Sequence, residues 1–187
     1  MDKSEDCDKE GVLEYTSQET PKYIVDENVV KQKVESLKQE QSIVGGIVGG
    51  TFGGLIGAVV WAAFTYFTKY QVGWLSVGVG FLVGYGVKLL GKGFDKSFGI
   101  LGSVIAFASL VFGNFLVSLG YLAKFLEISY LEMILTFKYS MTFQLLAETF
   151  SIMDILFYGI AIYEGYRFSF RKITKQELLE GALVEVK

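Results

Sequence analysis

Between Gly45 and Val60 the chain repeats a four-residue unit, Gly-Gly-Ile-Val, Gly-Gly-Thr-Phe, Gly-Gly-Leu-Ile and Gly-Ala-Val-Val, within an uncharged stretch that continues to Thr68. No other feature limits the fold so strongly. At about 100° per residue, Gly45, Gly49, Gly53 and Gly57 drift slowly around one helix face, and Gly46, Gly50 and Gly54 form a second row beside them. In a water-exposed helix each glycine would cost about 1 kcal/mol relative to alanine. In lipid that penalty is overruled, because an unwound backbone would leave unpaired amides at several kcal/mol each. A surface without side chains lets another backbone approach closely, and close packing is what associates helices in a bilayer. The repeat therefore reads as a glycine zipper on a membrane span.

Further charge-free runs follow the repeat, and with 51% hydrophobic and 16% aromatic residues the chain falls in the membrane class. Ile43 to Phe67 gives about 37 Å of helix, longer than a hydrocarbon core of about 30 Å, so it must tilt or protrude. Val72 to Leu90 forms a second span, joined to the first by only Thr68 to Gln71, which forces an antiparallel hairpin. Trp61, Tyr66, Tyr70 and Trp74 gather there as an interfacial belt. The third span is placed at 98–119 and the fourth, with Asp154 and Glu164 near its two ends, at 150–166. Between them, 120–149 mixes Leu122, Phe125, Leu131 and Leu135 with Lys124, Glu127, Glu132 and Lys138 in a helical rhythm. That pattern predicts an interfacial or partly re-entrant outer segment, since Lys138 would be costly at the centre of a fifth span.

The expected fold class is all-α: an integral membrane four-helix bundle over 43–170, between an acidic tail (1–42) and a second tail (171–187). Basic residues set its direction. Lys31, Lys33, Lys38, Lys88, Lys92, Lys96, Arg167, Arg171, Lys172 and Lys175 fall on one side of four crossings, against Lys69, Lys124 and Lys138 on the other. Both termini are thus expected in the cytoplasm. Residues 1–20 are charged and poor in large apolar groups, whereas Val30, Val34 and Leu37 form a narrow apolar stripe on a helix expected over 26–41. That stripe could pack on its own protein, self-associate or lie on lipid.

Small residues recur on the later spans. Gly73, Gly80, Gly84 and Gly91 share one face of the second. On the third, Gly99, Gly102, Ser103, Ala106, Ser109, Gly113 and Asn114 gather on one side, interrupted by Leu110, opposite Leu101, Val104, Ala108, Phe112 and Phe115. These faces predict closely packed helices within one subunit, while the double glycine row of the first span leaves room for a second copy of the chain. Pore lining is the third use, but no polar stripe runs the depth of a span.

Of the polar groups, Lys88 is placed to snorkel, and Glu164 to pair with Arg167 or with Lys88. Asp154 reads as interfacial on the outer side, and Asn114, the deepest strongly polar side chain, as an interhelical hydrogen-bonding group. With no histidine and one cysteine, Cys7, the chain lacks the commonest general base and any intrachain disulfide. No nucleophile and base set or metal cluster is visible, so neither enzyme activity nor a cofactor is expected. Gly91-Lys92-Gly93 lacks the spacing of a phosphate loop. Eleven acidic residues against six lysines in the first 42 argue against nucleic-acid binding.

Val60-Trp61-Ala62, Lys69-Tyr70-Gln71-Val72-Gly73-Trp74 and the run Leu156 to Arg167 carry a resemblance. Over roughly 43–170 the chain resembles a family of small, uncharacterised, glycine-rich bacterial four-span inner-membrane proteins. Some relatives carry a cysteine-rich ribbon where this chain has its acidic tail. The resemblance implies an inner-membrane location and four spans, and brings no activity or functional residues. The expectation for function is a structural or assembly component in the lipid bilayer, with a homo-oligomer or a cytoplasmic partner of the N-terminal tail as further partners. The alternative is an oligomeric channel or small transporter built on the glycine-rich hairpin.

Overall fold

The computed structural model describes residues 23–25, 27–70, 72–179 and 183–185. Expectations for the 1–20 tail, Cys7, a helix start at Asp26 and the turn residue Gln71 lie outside the described residues. The elements are β1 (Tyr23–Val25), α1 (Glu27–Gln39), α2 (Ile43–Thr68), α3 (Gly73–Gly91), α4 (Lys96–Phe125), α5 (Tyr130–Thr136), α6 (Thr142–Thr149), α7 (Ile152–Phe168), α8 (Lys175–Leu179) and β2 (Leu183–Glu185), with a 3-10 turn at Tyr139–Met141. Among the described residues three helices, α2, α3 and α4, are long and apolar enough to cross a membrane. A fourth candidate is the pair Tyr139–Thr149 and Ile152–Phe168, bent by 105° at the break between them.

Helix ends follow local chemistry. Ser42 starts α2, its Oγ accepting from the Gly45 amide at 3.0 Å. α2 and α3 stop at Lys69 and Lys92, which take the left-handed conformation with φ of 61° and 50°. That conformation costs an L-residue about 1–2 kcal/mol. Lys92→Gly is therefore expected to raise stability by about 1 kcal/mol, outweighing the loss of the exposed 4.0 Å contact of Lys92 with Glu40. An unchanged or lowered thermal midpoint in detergent would contradict this.

α2 and α7 pack on the α3–α4 pair, each touching both helices. The packing inverts the soluble pattern. Ala58, Val83, Val87, Ala106 and Ala161 lie inside with Trp61 and Leu110, while Val44, Phe52, Ile100 and Val104 point outward. Water would penalise such an apolar exterior, and lipid does not. Leu110, expected to interrupt the small face of α4, is fully buried in the core. Phe115, expected on the opposite face, is also buried, with Leu119, Ala123 and Met133 in a second cluster beneath α5. α4 runs on to Phe125 because this second cluster gives its last turns something to cover.

The two glycine rows of α2 meet different neighbours. A Cβ at Gly45, Gly49 or Gly53 would overlap the backbone carbonyls of Leu90, Gly86 or Leu82 on α3. At Gly46, Gly50 and Gly54 it would instead strike side chains of α4, Leu101, Ile105 and Ser109 among them. The room that the sequence seemed to leave for a second copy is filled by α4. Gly57 abuts Val79. On α3, Gly73, Gly80 and Gly84 face α7, whereas Gly91 turns towards Phe98 and Gly46, so the four do not share one neighbour. Gly102 of α4 meets Gly165 of α7, a contact the sequence reading missed, and Gly113 meets Trp61.

A short ribbon was not expected of an all-α chain. β1 and β2 pair antiparallel, Ile24 opposite Val184, and three residues are too few for a strand period to register. α1 packs on α8, with Leu37 of the apolar stripe buried.

Candidate functional site

At the start of α7 the sequence Ser151-x-x-Asp154 forms a capping box. The Ser151 amide donates to Asp154 Oδ2 at 2.7 Å, and Ser151 Oγ accepts from the Met153 amide at 3.4 Å. This pairing folds the carboxylate back against the helix, and Asp154 is only 1% exposed. The sequence places Asp154 towards the outer interface; within the protein its side chain is buried.

Asn114 of α4 reaches it. Asn114 Nδ2 donates to Asp154 Oδ1 at 3.2 Å and to Tyr158 Oη at 2.8 Å, while Asn114 Oδ1 accepts from Trp61 Nε1 at 2.9 Å. One amide thus ties α2, α4 and α7 together, with every hydrogen-bonding group of its side chain engaged. Among the described residues no lysine or arginine pairs with Asp154. Both carboxylate oxygens instead accept hydrogen bonds, from Asn114 and from the Ser151 amide.

Two cavities flank Asn114 and Thr149. One, of about 380 Å³, is walled by Thr65, Lys69, Ser118, Tyr121 and Ser151 as well as by those two residues. The other, of about 190 Å³, adds Asp154 and Tyr158 on one side and Phe107, Val111, Leu146 and Phe150 on the other. Ser118 Oγ donates to the Asn114 carbonyl at 2.9 Å and to Thr149 Oγ1 at 3.2 Å, and Tyr121 Oη donates to the Thr65 carbonyl at 3.3 Å. Thr65 Oγ1, in the wall of the larger cavity, is buried without a hydrogen-bond partner. Nearby, burial pushes the Tyr130 phenol above its ordinary pKa, so the hydroxyl stays a donor to the Leu116 carbonyl at 3.1 Å.

The opposite end of the bundle holds the tails. The Arg171 guanidinium bridges Glu40, at 3.3 Å, and Glu177. The Ser42 amide donates to the Gly91 carbonyl at 2.9 Å and the Arg171 amide to the Gly93 carbonyl at 2.8 Å, which fastens both tails to the turn after α3.

The other sequence candidates stand apart from the Asp154 network. Glu164 contacts Arg167 at 4.0 Å, and the Lys88 ammonium lies 5.9 Å from the centre of the Tyr85 ring, both on the tail side. Sequence reading passed over Trp61, Thr149, Ser151 and Tyr158 as partners. The capping-box spacing from Ser151 and the i,i+4 spacing of Asp154 and Tyr158 were signals that could have found two of them. Comparison of the chain with protein-family models, curated proteins and solved structures finds no match.

Proposed function

We propose that this chain, with its three to four candidate membrane spans, is a non-enzymatic multi-pass protein of the bacterial inner membrane that acts as an assembly component. The observation that carries this reading is the joining of both tails into one plate through Arg171, Glu40 and Glu177. On this reading the glycine zipper holds the spans rigid, and the plate, on the cytoplasmic side, presents α1 to a protein partner. Exposed Glu35 and Gln39 offer positions for a photoreactive residue. Crosslinking in cells should give one discrete adduct, lost when Arg171→Glu breaks the plate, while proteoliposomes of the wild type show no ion conductance. Robust conductance, or an adduct indifferent to Arg171→Glu, would sink the proposal. A reporter fused at Ser140 should be active only outside the cytoplasm.

The second reading is a small transporter or channel. What favours it is the pair of cavities that share Asn114 and Thr149, one of them reaching a buried carboxylate.

A further inference from the structure

We infer that the 380 Å³ cavity, at the end of the bundle away from the tails, is a binding site for the phosphodiester headgroup of a membrane phospholipid. The inference rests on the chain lying in a bilayer and not on its assembly role. The cavity has a buried floor, with Thr65, Asn114, Val117 and Ser118, and an exposed rim, with Lys69, Tyr121, Thr149 and Ser151. The first reason is an unmet hydroxyl in its wall. Thr65 is 3% exposed, and its Oγ1 has no hydrogen-bond partner. Buried polar groups are nearly always satisfied, so this one calls for a partner from outside the chain.

The second reason is the donor set. Ser151 Oγ accepts from the Met153 amide and keeps its own hydrogen to give, and among the described residues Lys69 forms no ion pair. Two hydroxyls and one ammonium therefore offer hydrogens to this cavity, and among the described residues no carboxylate borders it. Asp154 lines only the smaller cavity, with both of its oxygens already hydrogen-bonded. One ammonium matches the single negative charge of a phosphodiester, whose oxygens accept from the hydroxyls.

The third reason is the path away from the charge. From Ser118 to Phe107, α4 runs about 16 Å towards the middle of the bundle. Over that length the polar lining gives way to Phe107, Val111, Leu146 and Phe150 of the smaller cavity, which meets the larger one at Asn114 and Thr149. A headgroup held at Lys69 thus has an apolar course for the start of an acyl chain, directed inward as a lipid tail is. A free phosphate ion would make no use of it.

The test uses the full-length protein, purified in detergent, stripped of lipid and titrated with dioleoylphosphatidylglycerol, with adducts counted by native mass spectrometry. One saturable adduct is expected. Dioleoylglycerol has the same tails without the phosphate, and glycerophosphate has the phosphate without the tails; each should bind at least about tenfold more weakly. Lys69→Gln and Thr65→Val should each weaken the phospholipid adduct about tenfold, since each removes a hydrogen bond to a charged group. Thr65→Val keeps the branched shape and deletes an unpaired hydroxyl, so its thermal midpoint should not fall. Lys124→Gln should bind as the wild type does, because Lys124 stands at the same end of the bundle without lining the cavity. Retention of the chain in carbonate-washed membranes checks the spans separately, so a failed titration of retained, folded protein counts against the site alone. No saturable adduct, as for a cavity filled only by water, equal binding of dioleoylglycerol or glycerophosphate, or wild-type affinity in Lys69→Gln or in Thr65→Val would overturn the assignment.

Discussion

Gly49→Leu is expected to prevent the native bundle from forming. Any Cβ at this position overlaps the Gly86 carbonyl oxygen, and the Gly86 Cβ would in turn overlap that of Gly49, so two main chains meet with nothing flexible between them. Overpacking against a movable side chain costs about 1–3 kcal/mol. Here a helix must move, and the loss should exceed that range, with Gly53→Leu behaving alike because its obstacle is the Leu82 carbonyl. Gly78 and Gly159 provide the comparison, since nothing lies within 4 Å of a Cβ at either. Gly78→Leu should leave the fold intact. Unfolding midpoints in detergent and monodispersity on gel filtration read both effects. If all three variants behave alike, the close approach of α2 and α3 is wrong.

The second large effect is expected at Asn114. Asn114→Leu keeps the branched side-chain shape but strips Trp61 of its acceptor and Asp154 and Tyr158 of their shared donor. An orphaned buried N–H costs about 1–3 kcal/mol, and a lost hydrogen bond to a carboxylate about 1.5–3 kcal/mol. We expect a combined loss of about 4 kcal/mol, below the plain sum because the groups are coupled. Adding Asp154→Asn should recover part of it by removing the buried charge. If the double variant is as unstable as the two single losses added, Asn114 and Asp154 do not communicate.

What the sequence made legible follows from periodicity. Glycines four apart mark a smooth helix face without any knowledge of the neighbour, and long apolar runs mark candidate spans. The neighbour itself was not legible, because Gly45 and Gly46 look alike in sequence yet face α3 and α4. The burial of Asp154 was not legible for a related reason. Its position near the end of an apolar run says nothing of which way the side chain turns, and only the three-residue spacing from Ser151 recorded the bond that folds the carboxylate inward. The stripe of Val30, Val34 and Leu37 announced a docking face, while its cover, α8, spans five residues and offers too few turns to show a period.

The ribbon of β1 and β2 bears on the order of events during synthesis. β1 precedes every candidate span and β2 follows the last, so Ile24 can meet Val184 only after the whole bundle has been threaded. The pairing can therefore form only behind the last candidate span. On the proposed assembly role, a partner that recognised the plate only with this ribbon paired would thereby pass over nascent or half-inserted chains.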